Sequence, residues 1–226
     1  MNAILPHITL ESGKHPQHSI IWLHGLGADG QDFVPIAGEL KLPYPVRYIF
    51  PHAPQRAVTI NGGLVMRAWY DIASQRIDAQ QDAAGIRASQ IAVEALIEQE
   101  ISLGISPGNI FLAGFSQGGA IALHTALHRN APLGGVLALS TYLPLMESAI
   151  PDVLASTTAT PIFMAHGRGD PVIPHALGVI SRDALRKFGY AVEWHEYAMQ
   201  HSVCEEELRD IAIWLTKKLV VSMLST

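Results

Sequence analysis

The chain has 226 residues, of which 49% are hydrophobic and 15% charged, and its formal net charge at neutral pH is −5. This length suits a single domain, and the low content of charged residues excludes an intrinsically disordered chain. The net negative charge argues against a broad basic surface, so we expect no nucleic-acid partner. The single cysteine, Cys204, excludes an intrachain disulfide and a cysteine-built zinc site, and it is consistent with a cytoplasmic protein.

Neither the first residues nor the longest charge-free stretch predicts a membrane anchor. The start of the sequence lacks a basic segment followed by an apolar one, so we expect no signal peptide. Residues 101–128 contain no Asp, Glu, Lys or Arg, but five glycines, a proline and several polar side chains interrupt them. This stretch therefore predicts a buried strand and helix, and we expect no stable membrane attachment.

Short apolar runs alternate with helical patterns along the whole chain. The predicted strands are Ser19–His24, Val46–Phe50, Asn109–Phe115, Gly135–Leu139, Pro161–Ala165 and Ala191–Tyr197, with an extra edge strand at Ile4–Leu10. Most of these runs are continuously apolar, which is typical of parallel strands covered on both faces. The predicted fold class is therefore α/β, with one domain over residues 1–226 and a three-layer arrangement around a mostly parallel sheet of about seven strands.

Helices are predicted at 82–103, 117–129, roughly 172–188, and from about Ser202 onwards. In the first of these, we expect the face that carries Ala88, Ile91, Ala92 and Ala95 to be buried. In the last, Ser202 and Glu205 fit a capping box. Its buried stripe is predicted to consist of Leu208, Ile211, Ala212, Leu215 and Leu219. The segment 51–81 shows no clear periodicity, and a stretch of that length predicts a substrate-facing loop.

The string Gly114-Phe-Ser116-Gln-Gly118 lies where a predicted strand ends and a predicted helix begins. A sharp turn at that point would project the Ser116 hydroxyl from the edge of the sheet, and the flanking glycines would relieve the crowding. Ser116 is therefore predicted to be a nucleophile. The structural alternative is a glycine-rich packing turn whose serine only caps the helix.

A serine hydroxyl needs a general base, and an acid must orient that base. On a strand–turn–helix scaffold of this kind the chain order is serine, acid, histidine, each on a loop that follows a strand. Asp170 and His201 each follow a later predicted strand, so they are the predicted acid and base. The rival acids and histidines lie before a strand, inside one, or in or near a helix: Asp152, Asp183, His175 and His195.

Two backbone N–H groups are predicted to form an oxyanion hole. One belongs to Gln117, directly after the nucleophile, and the other to Leu26, in the glycine-flanked loop after an early strand. We expect no metal and no cofactor. His124 and His128 have the i, i+4 spacing of a zinc helix, but the glutamate of that motif is missing and no third ligand is evident.

Together these residues resemble the acyl-protein thioesterase/carboxylesterase family of α/β-hydrolases, also called the phospholipase/carboxylesterase group. The matching strings cover nearly the whole chain: Leu23-His-Gly-Leu-Gly27, Pro51-His-Ala-Pro54, Val58-Thr59, Asn61, Trp69-Tyr-Asp-Ile72, Gly114-Phe-Ser-Gln-Gly-Gly119, Leu139-Ser140, Tyr142-Leu-Pro144, His166-Gly167, Asp170 and His201-Ser202. The resemblance implies an α/β-hydrolase fold and a Ser116, Asp170 and His201 triad, with Leu26 and Gln117 in the oxyanion hole. It also implies an acyl pocket partly built around Trp69, while Thr141 stands where this family commonly has glycine.

The predicted function is hydrolysis of carboxylic esters or acyl thioesters, through a covalent acyl-enzyme. We expect an apolar acyl group, because apolar side chains near the site could line a slot: Leu26, Leu64, Val65, Met66 and Trp69. The substrate is predicted to be a small ester or thioester, or an acylated protein, and the exposed apolar loop could support a weak homodimer. The alternatives are a non-catalytic ligand-binding protein and a peptidase on the same fold.

Overall fold

The structure is a computed structural model, and it describes residues 4–74, 80–146 and 158–223. The strands are β1 His7–Glu11, β2 His18–Leu23, β3 Val46–Pro51, β4 Gln55–Val58, β5 Leu64–Arg67, β6 Ile110–Phe115, β7 Gly135–Leu139, β8 Ile162–Gly167 and β9 Val192–Tyr197. The helices are α1 Val34–Glu39, α2 Ala83–Ser102, α3 Gln117–His128, α4 His175–Lys187 and α5 Glu205–Met223.

Seven strands form one central sheet in the order β1-β3-β2-β6-β7-β8-β9. All neighbouring pairs are parallel except β1 and β3. Every residue of β2, β7 and β8 is buried, as the continuous apolar runs predict, because helices cover both faces of the sheet. The predicted α/β architecture with a mostly parallel sheet is confirmed.

Two apolar cores lie on opposite faces of this sheet. One contains buried side chains of α2, α3 and α4, and the other contains those of α1 and α5. The predicted stripe of the last helix is confirmed, since Ile211, Leu215 and Leu219 are fully buried. Among the described residues, no helix has the length and apolar character needed to cross a bilayer.

The buried face of α2 differs from the prediction. Ile91 is 51% exposed, whereas Ile86, Val93, Leu96 and Ile97 are buried against the sheet and α3. The prediction grouped three alanines with Ile91. Branched side chains bury far more apolar area than alanine does, so the face with more of them turns inward.

The starts of β1 and α5 also differ from the prediction. β1 begins at His7 rather than at Ile4. α5 begins at Glu205, and the first-turn N–H of Leu208 donates to the Cys204 carbonyl at 3.0 Å. Ser202 therefore lies before the helix and does not cap it.

The segment 51–81 contains a hairpin that the sequence analysis missed. β4 pairs antiparallel with β5, and a turn with Gly62 and Gly63 at φ values of 66° and 80° joins them. The signal was present, because an Asn-Gly-Gly sequence between short runs with β-branched residues is typical of a hairpin turn. Two residues between β4 and β5, Ile60 and Asn61, line the same cavity as Ser116, which follows β6.

Candidate active site

Ser116 occupies a sharp turn between β6 and α3. Its φ of 55° and ψ of −121° lie in a backbone region that residues with a side chain rarely adopt. The turn is held on both sides: the Ser116 N–H donates to the Leu139 carbonyl at 2.9 Å, and the Ser116 carbonyl accepts from Ala120 at 3.1 Å. Thr141 also donates its hydroxyl to that carbonyl at 2.7 Å.

Two glycines make this turn possible, as the sequence predicts. A Cβ on Gly114 would lie 2.4 Å from the backbone of Gly118, and a Cβ on Gly118 would lie 2.3 Å from the Leu23 carbonyl oxygen. These contacts are with backbone atoms, which cannot move aside cheaply. β6, α3 and β2 can therefore pack this closely only because both positions lack a side chain.

The structure brings Ser116, His201 and Asp170 together in one chain of hydrogen bonds. His201 Nε2 lies 2.9 Å from Ser116 Oγ, and His201 Nδ1 lies 2.7 Å from Asp170 Oδ2. The three residues follow β6, β8 and β9, whose carboxyl ends meet at one edge of the parallel sheet. The His201 ring also contacts Phe115, with the two ring centroids 4.7 Å apart.

The Asp170 side chain is fully buried, so its second oxygen needs hydrogen-bond donors. Oδ1 accepts from the backbone N–H groups of Val172 and Ile173 at 2.8 and 2.9 Å. This leaves Oδ2 to face His201, and it fixes Nδ1 as the protonated nitrogen of that ring. His201 Nε2 then faces Ser116 as an acceptor, which is the arrangement that a general base requires.

The rival residues have other partners. His175 pairs with Glu196 at 2.9 Å, His195 pairs with Glu193 at 3.0 Å, and Asp183 pairs with Arg182 at 2.8 Å. Asp152 lies outside the described residues.

Leu26 and Gln117 both lie beside Ser116, where they line the same cavity. Gln117 is the first residue of α3, and the first N–H groups of a helix have no acceptor within it. These groups, together with the positive end of the helix dipole, suit an anion that develops next to Ser116.

The cavity at Ser116 has a volume of about 570 Å³. Its lining is mostly apolar, with polar groups near the serine: Leu26, Ile60, Asn61, Tyr70, Ile72, Ser116, Gln117, Tyr142, Pro171, Val172, Ile173 and Pro174. Tyr70 and Tyr142 are both buried, and their hydroxyls lie 2.8 Å apart. Burial raises the pKa of Tyr70 well above its usual value.

The acyl-slot residues proposed from the sequence differ from those that line this cavity. Leu26 does line it, but Leu64 and Val65 are 62% and 60% exposed on β5. Met66 instead borders a shallow surface depression next to Gly27. The reason is that β5 lies beside the Gly27 loop, where the Gly27 N–H donates to the Arg67 carbonyl at 2.9 Å.

Trp69 does not line the cavity either, because it is completely buried. Its backbone N–H donates to Gln117 Oε1 at 2.8 Å, and its indole N–H donates to the His24 carbonyl at 2.8 Å. Trp69 therefore does not line the cavity, but its hydrogen bonds hold the neighbouring Gln117 side chain and His24 backbone in place. Its neighbours Tyr70 and Ile72, which belong to the same quoted string, are among the lining residues that the sequence analysis missed.

The two histidines on α3 lie against each other. The rings of His124 and His128 contact each other at a tilt of 41°, with centroids 4.1 Å apart, and burial lowers the pKa of His124 to about 3. Within the described parts of the chain, no group of three or more His, Cys, Asp or Glu side chains could hold a metal ion.

The sequence profile of the phospholipase/carboxylesterase family matches residues 6–219. The chain belongs to this family. It is 38% identical to acyl-protein thioesterase 1 of Neurospora crassa over 213 residues, which cover 89% of this chain and 86% of the relative. It is also 38% identical to acyl-protein thioesterase 1 of Gibberella zeae over 228 residues, which cover 96% of each.

Solved structures of similar proteins agree with this membership of the phospholipase/carboxylesterase family. Arabidopsis thaliana SOBER1 superposes with a TM-score of 0.85 at 33% identity, over 89% of this chain and 99% of that one. Zea mays acyl-protein thioesterase 2 superposes with a TM-score of 0.83 at 28% identity, over 95% of this chain and 99% of that one. The chain is thus a hydrolase of the carboxylesterase/thioesterase type with an α/β-hydrolase fold.

Proposed function

We propose that this hydrolase cleaves carboxylic esters and acyl thioesters that carry an apolar acyl group, through a covalent acyl-enzyme on Ser116. The observation that carries the proposal is the 2.9 Å distance between His201 Nε2 and Ser116 Oγ at a strained turn. The mostly apolar cavity beside the hydroxyl supports an apolar acyl group.

In the proposed reaction His201 takes the Ser116 proton as the hydroxyl oxygen attacks the acyl carbonyl carbon. The N–H groups of Leu26 and Gln117 stabilise the oxyanion. The tetrahedral intermediate collapses, the bond to the alcohol or thiol breaks, and His201 returns the proton to the leaving group. Water, deprotonated by His201, then attacks the acyl-enzyme and releases the carboxylic acid and free Ser116. Asp170 keeps the imidazole oriented and offsets its charge, and these steps need no cofactor.

The substrates that we propose are small esters or thioesters and cysteine-acylated proteins. The acyl-protein proposal follows from the names of the relatives, acyl-protein thioesterase 1 and acyl-protein thioesterase 2. The cytoplasmic location and the weak homodimer stay predictions from the sequence.

A fluorophosphonate probe tests the nucleophile, since it phosphonylates only an activated serine. We expect the native protein to be labelled, Ser116→Ala to lose the label, and its kcat on p-nitrophenyl butyrate to fall by about 10⁴ or more. Ser102→Ala is the matched control, because Ser102 lies exposed at the end of α2. Absence of labelling in the native protein would favour the non-catalytic alternative, while cleavage of amides at rates that match esters would favour the peptidase.

A further inference from the structure

A short segment forms the outer wall of the cavity at Ser116. It comprises Thr59–Asn61, a single helical turn between β4 and β5, and we call it the roof segment. Ile60 and Asn61 both line the cavity, yet all three residues are exposed. Ile60 is 38% exposed and its two neighbours are polar, so apolar burial alone does not fix the segment, and hydrogen bonds contribute to its position.

Asp71 supplies two of these hydrogen bonds. Its Oδ1 accepts from the Thr59 backbone N–H at 2.7 Å, and its Oδ2 accepts from the Thr59 hydroxyl at 2.6 Å. A third bond runs alongside, from the Ile60 N–H to the Ile72 carbonyl at 2.8 Å. The two bonds from Thr59 hold the pKa of Asp71 below its usual value, so the carboxylate stays ionised at neutral pH and the bonds are charge-assisted.

Asp71 also lies in sequence between two other residues that line the cavity, Tyr70 and Ile72. Its backbone N–H donates to Asp82 Oδ2 at 3.0 Å, and Asp82 Oδ1 caps α2 by accepting from Gly85 at 2.8 Å. α2 is a helix of 20 residues that packs against the sheet. A continuous chain of hydrogen bonds therefore runs from α2 through Asp82 and Asp71 to the roof segment.

We propose that Asp71 is a positioning residue that sets the preference of this hydrolase for longer acyl groups, by holding the roof segment over the cavity. The inference rests on the proposed function. Asp71 does not touch the reacting atoms and acts through Ile60 and Asn61. An acetyl group ends next to Ser116 and buries little surface against the roof segment. An octanoyl group has six more methylenes, and these bury their surface against the cavity walls.

Kinetics on matched esters test this role. With p-nitrophenyl octanoate, Asp71→Ala should raise KM roughly tenfold, as expected when hydrogen bonds to a charged group are lost, with kcat within about twofold. With p-nitrophenyl acetate, both constants should stay within about twofold of those of the native protein. Thr59→Val removes only the hydroxyl bond and should have an intermediate effect, whereas Thr59→Ser keeps both bonds and should match the native protein. Asp183→Ala is the control for loss of an exposed carboxylate.

Hydrogen exchange gives a second readout that needs no substrate. Asp71→Ala should speed amide exchange in residues 58–63 and leave α3 unchanged. Equal increases in KM for both esters, or unchanged exchange in residues 58–63, would overturn the role of Asp71. If the native protein hydrolysed neither ester, the proposed function would fail, whereas the exchange experiment would still decide whether Asp71 holds the roof segment.

Discussion

At the scale of single residues, the geometry of the site depends on which side-chain atoms already make hydrogen bonds to the backbone. Asp170 Oδ1 is fixed by two backbone N–H groups, so only Oδ2 is available to His201. Gln117 is committed in the same way: its side chain binds the backbone of Trp69 and Tyr70, at 2.8 and 2.7 Å. The glutamine side chain therefore supports the cavity wall, and its backbone N–H, at the first position of α3, is the one that we propose as an oxyanion donor.

This geometry predicts a severe defect for Asp170→Asn. The amide oxygen would take the place of Oδ1 at the two backbone N–H groups, and the amide NH₂ would then face His201 Nδ1. The ring would have to carry its proton on Nε2, where it cannot accept the proton of Ser116. We expect kcat to fall by about 10⁴ with a much smaller change in KM, measured on p-nitrophenyl butyrate. Asp183→Asn is the control, and near-native turnover in Asp170→Asn would show that another acid orients the base.

At the scale of elements, the sequence predicted best those features that consecutive residues determine. The strand–turn–helix around Ser116 was predicted because its glycines and its apolar run are adjacent. The β4–β5 hairpin was missed, since each of its strands has four residues and too few apolar positions to show a period. The start of α5 was misplaced for a related reason: Ser202 offers a local cap, but the chain from β9 turns into the helix only at Glu205.

The first turn of α5 carries a buried acid that predicts a pH effect on stability. Glu207 is fully buried, and neither carboxyl oxygen has a hydrogen-bond partner among the described residues. Burial raises its pKa to about 8, and the Asp210 carboxylate adds to the shift, while the backbone N–H of Cys204, outside hydrogen-bond geometry, opposes it. At a pH between the usual glutamate pKa and about 8, the folded state therefore keeps Glu207 protonated. The unfolded chain has already released this proton in the same pH range.

Wild-type stability should therefore fall, relative to Glu207→Gln, as the pH rises from about 5 to about 8. The limiting slope is about 1.4 kcal/mol per pH unit, and the difference should level off above that range. Urea unfolding of both proteins at several pH values measures this difference in the free energy of unfolding. Glu206→Gln, on the exposed side of the same turn, should show no such trend. A difference between Glu207→Gln and wild type that does not vary with pH would show that the carboxyl ionises normally.

At the scale of the whole molecule, the parallel sheet assembles the site. β6, β8 and β9 end at the same edge, so residues 85 and 31 positions apart in sequence meet within hydrogen-bond distance. The sequence analysis could group these three residues because each follows a strand of the predicted parallel sheet, and the carboxyl ends of parallel strands lie at one edge. The cavity walls were harder to predict, since Ile60, Tyr142 and Val172 come from three separate segments. No periodic pattern relates them, and only the folded backbone brings them together.

We propose that Ser116 carries the acyl group during turnover, and mass spectrometry after rapid acid quenching can detect this intermediate. The native protein is mixed with p-nitrophenyl octanoate and quenched within the first turnover. We expect a mass increase of one octanoyl group, located on the peptide that contains Ser116 and absent from Ser116→Ala. Octanoate release with no acylated Ser116 peptide, or with the acyl group on His201 or Cys204 instead, would contradict the mechanism.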